Sequence, residues 1–215
     1  EITICAFTQK VYKFCVEMFK RGHTVYHYGH PDSKVPCTEH ISVISHLTYD
    51  DHFKGQKWQD FLPQKIENKL HEEFNTNAAR EALKRRHSKN DLVLAFWGVG
   101  HKGACEKLKD SMIIVEPSIG YDSFFANFRV FESYAHLHKM LGGAQCNHPS
   151  PTDHVIPPGF VPDDFEFSKE KEDYWLFLGR IVDGKGVHIA DQLSRTLRQP
   201  IKFVGPQTLK TTLSK

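Results

Sequence analysis

"FLGRIVDGKGVHIA" occupies residues 177–190, and how it is read decides the fold. An apolar run enters Gly179, the triplet Gly184-Lys185-Gly186 follows, and an amphipathic segment closes the stretch. Strand, glycine-rich loop and helix is the order these signals predict. The pattern misses the triphosphate-binding loop G-x-x-x-x-G-K-[ST] by one residue, because Gly186 stands in place of the hydroxyl that would hold Mg²⁺. The acidic partner such a loop needs has a counterpart in Glu116 of "MIIVE", but that lies about 60 residues upstream, in what reads as another domain.

A second reading uses the same residues differently. Gly179 ends a strand at its carboxyl edge, where open α/β sheets bind ligands. Arg180 follows at once, and Lys185 precedes a helix whose first amides begin near Gly186. A guanidinium fork, an ammonium group and a helix N-terminus converging on one point suit a diphosphate without a metal. A plain turn with two solvated cations also satisfies the spacing. Spacing alone leaves these readings open.

Outward from this stretch, strands and helices alternate. "IKFVG" supplies a further strand that closes on Gly205. Toward the N-terminus, Phe7, Val11, Phe14 and Met18 recur at helical spacing and predict a helix over 5–21, ended by Gly22. "HTVYHYG" (23–29), "HISVISHL" (40–47), "DLVLAF" (91–96), "MIIVE" (112–116) and "HVI" (154–156) read as strands. Ile66, Leu70, Phe74 and Ala78 predict a helix over about 63–87, and a short one is expected near 104–108. "RVFESYAHLHKML" (129–141) reads as helical, stopped by Gly142-Gly143.

This alternation predicts a parallel, doubly wound, Rossmann-like α/β protein. The expected divisions are a first domain over 1–156, a proline- and charge-rich connection over 157–173, and the start of a second domain over 174–215. The first domain opens on a helix, so its first strand is expected to be missing. The last domain holds a single β-α-β unit, and a lone pair of strands is unstable and exposes an edge. The chain, which opens on Glu1 rather than Met, therefore reads as cut at both ends.

Composition narrows the classes. With 215 residues, 40% hydrophobic and 25% charged, the chain can bury a core. A balance of 28 basic against 26 acidic residues argues against a nucleic-acid partner. Cys5, Cys15, Cys37, Cys105 and Cys146 form an odd set without C-x-x-C, which reads as free thiols in a reducing, cytoplasmic compartment. No apolar run reaches the roughly 18 residues of a membrane span. Fourteen histidines are scattered without H-E-x-x-H or Cys/His spacing, so no metal is expected.

"IPPGFVPDDFEFSKEKEDYWLFLGRIVDGKGVHIA" (156–190) resembles the inter-domain junction of nucleotide-sugar-dependent glycosyltransferases of the GT-B fold, family-4 (group 1) type. The likeness rests on Ile-Pro-x-Gly, Pro-x-x-Phe, then "GR" and "KG" at fixed spacing. "FTQKVYKFCVEMFKRGHTVYHYG" (7–29) is similar to the first helix and second strand of that family's N-terminal domain, and "VEPSIGY…FRVFESYA" resembles a subgroup. The resemblance implies two facing Rossmann domains, the C-terminal one holding the nucleotide sugar and the N-terminal one shaping the acceptor site. It implies retaining, metal-independent transfer, without a cofactor, to a glycan or a lipid-linked acceptor.

Under that resemblance Arg180 and Lys185 are the catalytic cations, binding the donor diphosphate and stabilising charge on the leaving nucleotide. Gly179, Gly186 and Gly205 become close-approach donor-binding positions. The family's donor domain continues well past the length present here, with a paired-glutamate segment. A missing part of the donor domain is therefore expected, and the 215 residues alone are not expected to complete the transfer.

Four acceptor or sugar contacts are candidates in the first domain: His101 in "WGVGHKG", and Glu116, Gly120 and Tyr121 around the next loop. Each also reads as an ordinary loop residue. Glu132 and Ser133 open a helix that can face the same way. Asp163-Asp164 lies in the connection and reads as structural rather than metal-binding. The basic face of "REALKRRHSK" (80–89) is a candidate for weak contact with an anionic membrane, or a solvated helix end. Two other functions fit the chain: a GT-B relative such as a nucleotide-sugar epimerase or phosphorylase, and a non-catalytic domain binding a glycan or a partner.

Overall fold

A computed structural model describes residues 6–56, 67–144, 149–160, 162 and 165–205. By its internal contacts the chain divides into two compact units, with the boundary between Gly159 and Phe160. The first contains α1 (Ala6–Lys20), β1 (Tyr26–Gly29), β2 (Glu39–Ser42), α2 (His46–His52), α3 (Lys69–Arg85), β3 (Leu92–Leu94), α4 (Lys102–Leu108), β4 (Ile113–Ile119), β5 (Phe128–Phe131), α5 (Tyr134–Gly143) and β6 (Asp153–Val155).

β1 and β2 pair in parallel with Tyr26 opposite Glu39, while β3-β4-β5-β6 form a four-stranded, all-parallel sheet. Parallel neighbours require crossovers: α4 lies between β3 and β4 and α5 between β5 and β6, whereas non-helical segments join β1 to β2 and β4 to β5. The unit is thus mixed α/β, compatible with a Rossmann-like layout. α3 is central to it. Ala78, Ala79 and Ala82 let this helix lie close against Ile41 of β2, Val43 just after it, and Ala104 and Leu108 of α4, with Val93 and Ile114 packed beside them. One apolar core therefore spans both sheets. A second core gathers Ile119, Phe131, Leu137 and Leu141.

Two segments differ from the sequence expectation. Residues 46–47, expected to extend a strand, begin α2 instead, because the Ser45 hydroxyl accepts from the Thr48 amide at 3.1 Å and caps a helix there. Residues 129–131, expected to be helical, form β5. Arg129 donates to Asp153 of the neighbouring β6 at 2.9 Å and lies over the Phe124 ring at 4.3 Å, and these tertiary partners override the helical periodicity. Ser133 then caps α5 by accepting from the His136 amide at 3.1 Å, and the helix runs through both glycines to Gly143. Cys5, residues 63–66, Cys146 and Asp163-Asp164 lie outside the described residues.

The second unit carries β7 (Trp175–Leu178), a 3₁₀ turn (Asp183–Lys185), α6 (Val187–Leu197) and β8 (Ile201–Val204). β7 and β8 are parallel, with Trp175 opposite Ile201. Val187 is completely buried, and the Ser194 hydroxyl donates to the Gln199 carbonyl at 2.5 Å to turn the chain into β8. Among the described residues no helix is long and apolar enough to cross a membrane. The basic stretch at the end of α3 is partly neutralised, since Glu81 pairs with Arg80, Lys84 and Arg85, and Arg85 also reaches Glu39.

Candidate functional site

Sequence-selected residues collect at two places, one in each unit. In the second unit the Gly179 amide donates to the Val204 carbonyl at 2.9 Å, so pairing runs one residue past β7. Gly205 follows β8, and a Cβ there would overlap the Gly179 carbonyl. Only a residue without a side chain lets these two strand ends come together. Gly186 adopts φ +74°, ψ 24° between the 3₁₀ turn and α6, with its amide donating to Asp183 O at 2.8 Å. This left-handed residue turns the loop into the helix. Arg180 and Lys185 are exposed on the intervening loop, together with Asp183. One strand-loop-helix corner thus brings together Gly179, Arg180, Lys185, Gly186 and Gly205.

The first unit's cluster lies at the carboxyl ends of β3, β4 and β5. Glu116 is fully buried in β4. Its Oε2 accepts from the amides of Phe125 and Ala126, both at 2.7 Å, and its Oε1 from the Tyr121 hydroxyl at 3.4 Å. Burial raises the Glu116 carboxyl above its ordinary range, opposed by the two amide bonds. Both oxygens are engaged within the fold, so Glu116 moors the loop over residues 120–127. Directly after it, the β4–β5 register shifts and Ser118 takes φ +54°. A non-glycine residue in this region costs about 1–2 kcal/mol.

Tyr121 occupies the space that a Cβ on Gly98 would need, so the β3 and β4 loops touch there. Burial, then the Glu116 charge, pushes its phenol pKa up. A Cβ on Gly120 would come within 2.5 Å of the Glu132 carboxylate, which pairs with Lys10 of α1. Gly120, Tyr121, Glu116 and Glu132 therefore belong to one network, with Ser133 serving as a helix cap.

His101 ends the 3₁₀ turn Gly98–His101, stacks on Phe74 with ring centroids 5.0 Å apart and stands edge-on to Trp97. Burial, with His71 adding to it, pulls its pKa down to about 4. The ring is neutral at pH 7, and Nδ1 accepts weakly from the Trp97 amide at 3.4 Å. The proton then sits on Nε2, which becomes a donor.

His71 also packs against Trp97 at 5.0 Å; its Nδ1 faces Asn68 Oδ1 at 3.1 Å, while its buried Nε2 has no hydrogen-bond partner. His71, Asn75, Val99, Gly100, Gly103 and Lys107 line an open groove of about 560 Å³. Asn75 joins its walls, donating to Gly100 O at 3.0 Å and accepting from the Ala104 amide at 2.8 Å.

Sequence reasoning missed His71, Phe74 as a site residue, Trp97 and Ser118. The spacing of His71 and Phe74 on one helical stripe was the available signal for the first two. Set against family models, curated proteins and solved structures, the chain matches none.

Proposed function

We propose that this chain belongs to a GT-B glycosyltransferase that moves a sugar from a nucleotide-diphosphate sugar to a glycan or lipid-linked acceptor, using a donor site at the corner after β7. The observation that carries the reading is the meeting of Gly179 and Gly205 beside a loop with two cations and a left-handed entry into α6. Touching glycines leave the strand ends without side chains. A diphosphate there meets backbone, the Arg180 guanidinium, the Lys185 ammonium and the first amides of α6.

The transition state for sugar transfer places growing negative charge on the departing nucleoside diphosphate. Arg180 and Lys185 stabilise that charge more than they stabilise intact donor, which lowers the barrier. Loss of either is expected to cost roughly 2–4 kcal/mol of transition-state stabilisation. The first unit serves the acceptor in this scheme. His101, neutral and carrying a proton on Nε2, offers a donor to a hydroxylated ligand, with Phe74 and Trp97 as aromatic neighbours.

Calorimetric titration with UDP, GDP and their sugars tests the reading. Saturable binding that weakens in both Arg180→Ala and Lys185→Ala, with circular dichroism unchanged, supports it. Equal affinity in wild type and both variants returns the loop to a plain turn.

A further inference from the structure

The first unit carries a second cluster of polar side chains, outside the regions above. β1 ends at Gly29 and the chain turns through His30 and Asp32; β2 ends at Ser42 and α2 opens with His46. Each of these three side chains offers one ligand atom, and all three atoms lie within 4.8 Å of one another. Asp32 Oδ2 is 3.8 Å from His30 Nδ1, and Asp32 Oδ1 is 3.7 Å from His46 Nε2. Among the described residues no other group of His, Cys, Asp and Glu meets this condition.

We propose that His30, Asp32 and His46 bind a divalent d-block cation of the zinc type. Two imidazoles and one carboxylate are the ligand set such ions prefer, whereas Mg²⁺ and Ca²⁺ take all-oxygen sites. Tetrahedral coordination at about 2.0–2.2 Å puts ligand atoms roughly 3.4 Å apart. Each histidine already lies within a few tenths of an ångström of that from one carboxylate oxygen of Asp32, His30 from Oδ2 and His46 from Oδ1. Asp32 and His46 are both exposed side chains, so small rotations complete the approach. Water fills the remaining position.

Independent features hold the ligands in place. The His30 carbonyl accepts from the Ser33 amide at 3.0 Å, closing a tight turn that folds Asp32 back, and it also contacts His40 Nε2 at 2.9 Å. His40 in turn meets His27 across the β1–β2 pair at 2.9 Å. On the other wall, the Ser45 amide donates to Glu73 at 2.7 Å while its hydroxyl caps α2, which fixes His46. Outer bonds of this kind position metal ligands in known sites. The ring atom of His30 that faces Asp32 is Nδ1, which accepts from the Asp32 amide at 3.2 Å, a bond that the metal replaces. Asp50 lies near enough to act on His30 electrostatically and adds negative charge facing a cation.

Titration of the 215-residue chain with ZnCl₂ and, separately, MgCl₂, followed by calorimetry, tests the site. One zinc ion is expected to bind saturably, with no Mg²⁺ binding. Losing an outer-shell partner weakens metal binding about 10–100-fold, so removing a ligand should do no less. Asp32→Asn and His46→Ala should each weaken zinc by about tenfold or more, and His138→Ala should leave it unchanged. Both ligand variants replace exposed side chains, so folding is retained. Absence of saturable zinc binding, wild-type zinc affinity in both ligand variants, or Mg²⁺ binding as tight as zinc would overturn the proposal.

Discussion

The two units hold their candidate sites by different means. In the first, Ile119, Phe131 and Glu116 are completely buried, and a single carboxylate ties a loop to the sheet through three hydrogen bonds. In the second, Leu178 is 76% exposed and Ile189 61%, and Val187 is the only buried apolar side chain among the described residues. Its corner is shaped by glycines, and its candidate cations, Arg180 and Lys185, are exposed. A site built on buried side chains ties chemistry to stability, whereas one built on backbone and exposed cations separates them.

The sharpest way to break that contrast is Glu116→Ala. It strands the amides of Phe125 and Ala126 inside the protein and should cost roughly 2–5 kcal/mol, read from urea unfolding. A loss below about 1 kcal/mol would mean that the carboxylate does not hold the loop.

Acid offers the next test. The unfolded His101 ring takes its proton near pH 6.5, the folded one only at about 4. Its contribution is therefore complete above pH 6.5 and is lost as the pH falls toward 4. Over that window it amounts to roughly 3 kcal/mol. His101→Gln should flatten the corresponding part of the stability-versus-pH curve. An unchanged curve would place the acid sensitivity elsewhere.

A smaller effect is expected in the second unit from Gly205→Ala. The new methyl collides with the Gly179 carbonyl and should cost about 1–3 kcal/mol while pushing the strand ends apart. Nucleotide affinity should fall with it. The smallest effect on stability is expected from Lys185→Ala, an exposed loop position, where a change within about 0.5 kcal/mol is ordinary. If the urea midpoint moves further, the separation of chemistry from stability in this unit fails.

The sequence made the parallel α/β organisation readable because alternating apolar runs and amphipathic segments are local signals. The strand-loop-helix corner at 177–190 was readable for the same reason: Gly179 and Gly186 sit in consecutive chain order with the cations. β5 was not, because Phe128, Val130 and Phe131 pass for one turn of a helix until Arg129 meets Asp153. Nor was Glu116, a cleft-facing carboxylate by its place at a strand end, since its partners are backbone amides about ten residues on. His30, Asp32 and His46 escaped a spacing search because the strand pairing, not the chain, makes His46 a neighbour of the other two.

The contacts of His71 and His101 with Trp97 have a practical consequence. A protonated imidazole in contact with an indole quenches its fluorescence, so emission from Trp97 is a built-in optical record of the charge on His71, which lines the groove, and on His101. With Trp58 and Trp175 replaced by Phe, ligands that enter beside His71, or acid that charges His101, change the emission of the one remaining tryptophan, with no label attached.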